Sequence, residues 1–293
     1  MRIFHQRLLS FLPGCGPLVA LLLVLFFSLL TACSERSPKA LRLAVDASFV
    51  PALESLREDF ERRCHCTLHI TAGASGLLYS QIRAGADFDI FLSADAERPA
   101  QLFRDGLTVP ASLQTYARGQ LALWVSRRLL ADASSSEAPD IAMLANLPAA
   151  ELTPRQLILV LGRGKHKVIV ADPQLAPDGD AAVKMLKGLR LWPRMRERMV
   201  YANHGGHAQI MLLQGEGDMG LVPYSQAMLS GSGGEFMRVP SRFYPAMNQQ
   251  LIILRRTRER TLAIQFVQFL LSAPTQERLP DVGFLPAGRI NGR

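Results

Sequence analysis

TAGASGLLYSQIRAGADFDIFLSAD, Thr71 to Asp95, contains a strand end, a turn of small residues, a helix and a second strand. Leu78 and Ile82 lie four apart, on one helical face, and Gly85 ends the run. Ile90-Phe91-Leu92 reads as a short buried strand. The turn, Thr71 to Gly76, holds four Ala or Gly residues and no charged side chain. A bare turn at a helix start lets a ligand approach the backbone. The first N–H groups and the positive end of the helix dipole then suit an anion, and Ser75 adds a hydroxyl donor. The alternative is that Ser75, like Ser48 upstream, only caps its helix.

The same pattern extends outward. Leu41 to Val45 reads as a strand, and Ser48 precedes a helix with Leu53, Leu56 and Phe60 on one face. Cys66 to Ile70 is a strand, and a third helix spans about Ala96 to Arg104. This β-α-β-α-β-α order predicts a parallel sheet with helices on its faces. Gln120 to Val125, Val168 to Ala171, Val200-Tyr201, the start of Met219 to Ala227, and Gln249 to Leu254 also read as strands. Helices are expected from about Asp180 to Leu189, after ANHGGHAQ, and around Leu262, Phe266, Phe269 and Leu270. Leu157 to Leu161 fits helix or strand, and ADASSSEAPD (Ala131 to Asp140) reads as a surface loop. Strand-to-helix turns recur at Ser48, at Ser75, near Asp178 and near His204. In open α/β sheets such turns line the crevice where ligands sit.

The chain has 293 residues, 48% of them hydrophobic, enough for one large or two medium α/β domains. Arg2 and Arg7 precede the apolar block Leu18 to Leu30, then Leu30-Thr31-Ala32-Cys33 follows. This is the layout of a secretory signal, and the block is short for a spanning helix. Residues 1–32 are therefore expected to be removed, which lowers the formal charge from +8 by two. A modest positive field favours an anionic ligand or an acidic membrane surface. No basic stripe interleaved with aromatics marks a nucleic-acid partner.

Of four Cys, Cys15 lies in the signal and Cys33 at its end, which leaves Cys64 and Cys66. Residues two apart on a strand point the same way, so a bond between them is expected to be strained or absent. Two packed or solvated thiols at a helix-to-strand junction are the expectation. CHCTLH (Cys64 to His69) also offers soft metal ligands, with no second cluster. No cofactor motif is present. There is no G-x-S-x-G elbow, no H-E-x-x-H and no P-loop, which leaves a hydrolytic enzyme a remote alternative.

GASGLLYSQIRAGADFDIFLSAD (Gly73 to Asp95), with AVDASF, ADPQLAPDG, GEGDMGLVPYSQA and VGFLPAG in that order, resembles the substrate-binding proteins of molybdate ABC transporters. The similarity runs from Leu41 to about Gly288. It implies an α/β, type II periplasmic binding-protein fold: two lobes, each a mainly parallel sheet flanked by helices, joined by two crossover segments. Residues 41–119 with 244–288 would form the first lobe and 120–243 the second. It also implies capture of molybdate or tungstate between the lobes by a monomer, and delivery to an inner-membrane ABC permease. Cys33 resembles the lipidated Cys of a bacterial lipobox, which would anchor the protein to a membrane in the periplasm or cell envelope.

By the same resemblance, Ser48 and Ser75 bind oxyanion oxygens through hydroxyl and backbone N–H. Asp178, between Pro and Gly in APDG, matches a contact often made by backbone N–H. The helix start after YANH supplies another N–H, from His204 or Gly205. Tyr224 matches a hydroxyl donor of some members, although LVPY carries one more residue than their pattern.

Three departures bear on the ligand. Asp46 stands where the family usually has a small neutral residue, Asp178 puts a carboxylate at the second-lobe contact, and His204 and His207 flank GG. A dianion about 4 Å from a carboxylate, at an effective dielectric near 20, meets about 4 kcal/mol of repulsion per charge pair. Either the two Asp side chains point away, or protonated His204 or His207 offsets them, or the ligand differs. A protonated oxyanion such as hydrogen phosphate, or a metal cation held by Asp46, Asp178, His204 and His207, would keep the fold and change the cargo.

Overall fold

The computed structural model describes residues 39–135, 152–163, 165–229 and 231–288. The expected signal segment and Cys33 lie outside the described residues. Among the described residues, no helix is long and apolar enough to cross a membrane.

Two sheets organise the chain. The first has strand order β11-β4-β10-β3-β1-β2, from β1 (Lys39–Asp46), β2 (Cys66–Gly73), β3 (Ile90–Ser93), β4 (Gln114–Gly119), β10 (Met247–Ile253) and β11 (Leu285–Pro286). The second has order β7-β6-β8-β5-β9, from β5 (Leu121–Ser126), β6 (Val168–Ala171), β7 (Met199–Ala202), β8 (Met219–Pro223) and β9 (Gly234–Arg238). Both sheets are mixed, which corrects the expectation of mainly parallel ones. β1 pairs parallel with β3, and β6 runs parallel to β7 and β8. β10 is antiparallel to β3 and β4, and β5 is antiparallel to β8 and β9. The antiparallel strands flank the two passages between sheets, Gly119 to Leu121 and Arg238 to Met247.

Strand alternation explains why helices cover both faces. On β1, Leu41, Leu43 and Val45 pack with Leu53 and Phe60 of α1 (Val50–Cys64) and with Phe266 of α10 (Arg260–Leu271). Ala44 faces the other way, onto Leu78 of α2 (Ser75–Arg83) and Leu102 of α3 (Glu97–Arg104). On β5, Leu121, Leu123 and Val125 join Val168, Val170 and Leu186. Ala122 and Trp124 turn to Ile169, Ala208 and Leu212.

The segment Leu157 to Leu161 is helical, within α5 (Pro154–Arg163), and α4 (Arg127–Ser135) takes the first half of the stretch expected as a loop. The rest of that stretch, residues 136–140, lies outside the described residues. The second sheet carries α6 (Pro177–Gly188), α7 (Trp192–Met195), α8 (Gly205–Leu213) and α9 (Tyr224–Ala227). α11 (Ala273–Arg278) closes the first half.

Cys64 and Cys66 form a disulfide, against expectation, with Cα atoms 5.1 Å apart. The two do not share a strand. Cys64 ends α1, Cys66 opens β2, and His65 between them is left-handed at φ 50° and ψ 49°. That turn brings the two side chains together and places the Cα separation inside the ordinary disulfide range.

Candidate functional site

β1, β2 and β3 end at Asp46, Gly73 and Ser93, and β6 and β7 end at Ala171 and Ala202. The turns beyond these ends meet in one cleft. Ser48 and Ser75 come from the first half, Asp178 and the His204–Gly205 helix start from the second. Four expected site positions are thus brought together.

The serines have a partner that the sequence did not reveal. Asp46 Oδ1 accepts from Ser48 N–H at 3.0 Å and from its hydroxyl at 2.7 Å. Oδ2 accepts from Ser75 N–H at 3.1 Å and from its hydroxyl at 2.5 Å. Two oxygens of one anionic group therefore take four donors, the full acceptor set of a carboxylate. The Ser75 oxygen is fixed in turn by Ala94 N–H at 2.9 Å. Asp46, Ser48 and Ser75 are all buried.

Asp178 is at the second position of α6 and is buried. Its Oδ2 has no hydrogen-bond partner. Burial, reinforced by the negative charge of Asp46, pushes its pKa up to about 7, while the N–H groups of Asp178 and Gly179 pull the other way. Gly205 backs onto this carboxylate. A Cβ there would lie 2.8 Å from Asp178 Oδ2 and 2.5 Å from Pro223 Cγ, so only glycine lets the start of α8 approach so closely.

His204 caps α8, its Nδ1 accepting from His207 N–H at 3.1 Å. The proton of the neutral ring is then on Nε2. Burial lowers its pKa, with Asp46 acting in the opposite sense and His207 adding to the decrease. The Tyr224 ring packs edge-on against Phe236, and the Arg238 guanidinium lies over it. Its neighbours Pro223 and Ser225, rather than Tyr224, line the cleft cavity.

The two halves touch across the cleft. Ser225 Oγ and Gln226 Nε2 donate to Ser48 carbonyl at 3.2 and 3.3 Å. Gly76 N–H donates to Leu175 carbonyl at 2.9 Å, and Arg98 Nη2 to Gln174 carbonyl at 3.1 Å. What remains inside is a cavity of about 10 Å³, room for one water, with Ser48, Gln120, Asp178, Ser225 and Gln249 on its walls. Of these, sequence reasoning missed Gln120, Ser225 and Gln249, and it also missed Gln226. Gln249 left a trace, as a polar residue in the strand run MNQQLII, where it is buried between exposed Asn248 and half-buried Gln250.

The family model of the bacterial extracellular solute-binding proteins matches residues 41–285. The chain belongs to that family. It is 28% identical over 242 residues to the molybdate-binding protein ModA of Rhodobacter capsulatus, covering 83% of this chain and 86% of that one. It is also 28% identical over 257 residues to ModA of Azotobacter vinelandii, covering 87% and 93%. The solved periplasmic molybdate-binding protein of Azotobacter vinelandii superposes with a TM-score of 0.69 over 84% of this chain and 98% of its own. The sulfate-binding protein SubI of Mycobacterium tuberculosis H37Rv shares the fold at 16% identity, TM-score 0.66, over 85% and 88% of the chains. This is therefore a ModA-like solute-binding protein of an ABC transporter, with the periplasmic binding-protein fold, and a binding protein rather than an enzyme.

The cation alternative finds no support in the geometry. Among the described residues, no three His, Cys, Asp or Glu side chains are grouped to hold a metal ion. His204 Nδ1 is used as a cap, and both Asp46 oxygens are used by the serines.

Proposed function

We propose that this solute-binding protein captures a tetrahedral oxyanion, molybdate or tungstate first among them, in the cleft between its two halves. The halves, residues 41–119 with 244–288 and residues 120–243, would open and close about the two passages between the sheets. The observation that carries the reading is the cradle itself. Two N–H and two O–H donors from Ser48 and Ser75 converge on two oxygens of one anionic group, at 2.5–3.1 Å. Asp46 occupies the place that two oxyanion oxygens would take. The bound anion would displace it and would also meet the N-termini of α6 and α8. Similarity to two molybdate-binding proteins supports the choice of probe.

A melting-temperature screen with molybdate, tungstate, sulfate and phosphate tests the reading, because a ligand that binds only the folded state raises stability with concentration. Molybdate or tungstate should give the larger shifts. Ser48→Ala and Ser75→Ala should each weaken binding by about 1.5–3 kcal/mol, the range for hydrogen bonds to charged groups. Unchanged affinity in both variants would show that the ligand sits elsewhere.

The site is proposed to work in the periplasm, from which the loaded protein hands its cargo to an inner-membrane permease, while a lipid on Cys33 holds it at a membrane. Leu30-Thr31-Ala32-Cys33 supports the anchor. So does similarity, 23% over 266 residues, covering 88% of this chain and 94% of that one, to YvgL of Bacillus subtilis (strain 168), assigned as an ABC transporter substrate-binding lipoprotein. Mass spectrometry of membrane-extracted protein should find Cys33 as a lipidated first residue. An intact residue 1, or an unmodified start elsewhere, would refute the anchor.

A further inference from the structure

The walls of the cleft cavity raise a problem of hydrogen-bond polarity. Asp178 Oδ2 and Gln249 Oε1 are both buried, both without a partner, and both belong to residues lining the same cavity. Both are acceptors. The Gln249 amide can turn its NH2 group inward, but an ionised Asp178 has no hydrogen to offer. A fully deprotonated oxyanion is made only of acceptors, so its oxygens cannot satisfy Asp178 Oδ2, and its charge adds to those of Asp46 and Asp178. A site that holds such an anion there needs a hydrogen between the facing oxygens.

We propose that capture of the oxyanion is coupled to one proton, held between Asp178 Oδ2 and a ligand oxygen, which makes Asp178 the residue that selects among anions by their protonation. This rests on the oxyanion reading of the site. The proton balance is simple. A dianion such as molybdate binds together with one proton from solvent, carried as the Asp178 O–H that donates to it. A hydrogen oxyanion brings the proton on its own O–H and donates to the ionised carboxylate. No bond other than the O–H changes.

The surroundings of Asp178 leave few other groups to carry that proton. β6 (VIVA), β8 (MGLVP) and β10 (MNQQLII), which pack against α6, contain no ionisable side chain. α7 contributes only the exposed Arg194. On α6 itself, Asp180 and Lys184 pair with each other at 2.6 Å at the surface, and Lys187 lies over the Trp192 ring. Of the titratable groups at the cleft, Asp46 is committed to four donors, His204 Nδ1 accepts from His207 N–H, and Arg98, which reaches Gln174 carbonyl, is paired with Asp95.

The sign follows from the raised pKa of Asp178, about 7. Below that pH the ligand-free protein already holds the proton, so binding a dianion takes up none. Above it the carboxylate is ionised, binding must draw a proton from buffer, and affinity falls with rising pH by up to about tenfold per unit. Titration calorimetry with molybdate at pH 6 and pH 8, each in two buffers of different ionisation enthalpy, measures the count directly. The expected result is no proton at pH 6 and one at pH 8. Phosphate, which enters as the hydrogen anion at pH 8, should bind there with no uptake. Asp178→Asn keeps the shape and offers N–H donors, so it should abolish the uptake and flatten the dissociation constant between pH 6 and pH 8.

Molybdate bound with no uptake and equal affinity at both pH values would overturn the coupling while leaving the oxyanion reading intact. Uptake that persists in Asp178→Asn would overturn the assignment to Asp178 in favour of His204. Binding of no oxyanion at either pH would overturn the ligand reading, and the coupling with it. The wild-type proton count decides the coupling by itself if the variant fails to fold.

Discussion

Asp46 carries a negative charge to the point where four donors meet, two residues before one serine and 29 before the other. Its two roles oppose each other. It satisfies buried donors that would otherwise lack an acceptor. Toward an incoming anion it is a competitor, repelling a unit charge at about 4 Å by about 4 kcal/mol at an effective dielectric near 20. Asp46→Ala separates the roles. The unliganded variant should unfold with about 1–3 kcal/mol less stability in urea, because four hydrogen bonds lose their acceptor at once and the donors stay buried. Molybdate affinity measured by calorimetry at pH 8 should rise tenfold or more. A variant that binds molybdate more weakly than wild type would mean that Asp46 holds the ligand rather than its place. The serine variants need the same care, since each hydroxyl lost also loosens Asp46. Ser48 and Ser75 were legible in the sequence as strand-to-helix turns. The direction of the Asp46 carboxylate was not, because it depends on a turn contributed by a different strand.

Elements with an unambiguous apolar pattern were legible. Val168–Ala171 is a strand with all four residues buried, and Val50–Cys64 buries Ala52, Leu53, Leu56 and Phe60 on one helical stripe. β4 (QTYARG) and β9 (GEFMR) left no such signal, since each buries only two residues and carries polar ones between or beside them. Their strand character comes from neighbours: β4 is held between β10 and β11, and β9 against β5. The ambiguity at Leu157 to Leu161 had a local answer. Thr153 and Gln156 form a capping box, with Gln156 N–H donating to Thr153 Oγ1 at 3.3 Å and Thr153 N–H to Gln156 Oε1 at 2.7 Å. With Pro154 at the first helical position, that fixes a helix start. The Cys64–Cys66 bond has a similarly local origin: a single left-handed residue, His65, separates the end of α1 from the start of β2, so the two cysteines do not share a strand.

At the scale of the whole molecule, the two halves meet through a small set of contacts, and one of them tolerates no side chain. Gly76 N–H donates to Leu175 carbonyl across the cleft at 2.9 Å. A Cβ on Gly76 would lie 2.9 Å from that same oxygen and 3.3 Å from Leu175 Cα. The obstruction is backbone, which cannot rotate away as a side-chain tip would. Within its own half such a Cβ would meet only the tip of the Arg98 side chain, at 3.1 Å, which can shift, and Gly76 sits in the first turn of α2, where alanine is the better helix former by up to about 1 kcal/mol. Gly76→Ala should therefore leave each half folded and stop the halves from meeting. Small-angle scattering should give the ligand-free variant a larger radius of gyration than wild type. Molybdate affinity should fall tenfold or more, because closure brings the α6 and α8 N-termini to the anion already held by Ser48 and Ser75. A variant with the wild-type scattering curve and wild-type affinity would show that the Gly76–Leu175 approach has no part in closure. A larger radius with unchanged affinity would mean that the first half alone holds the ligand.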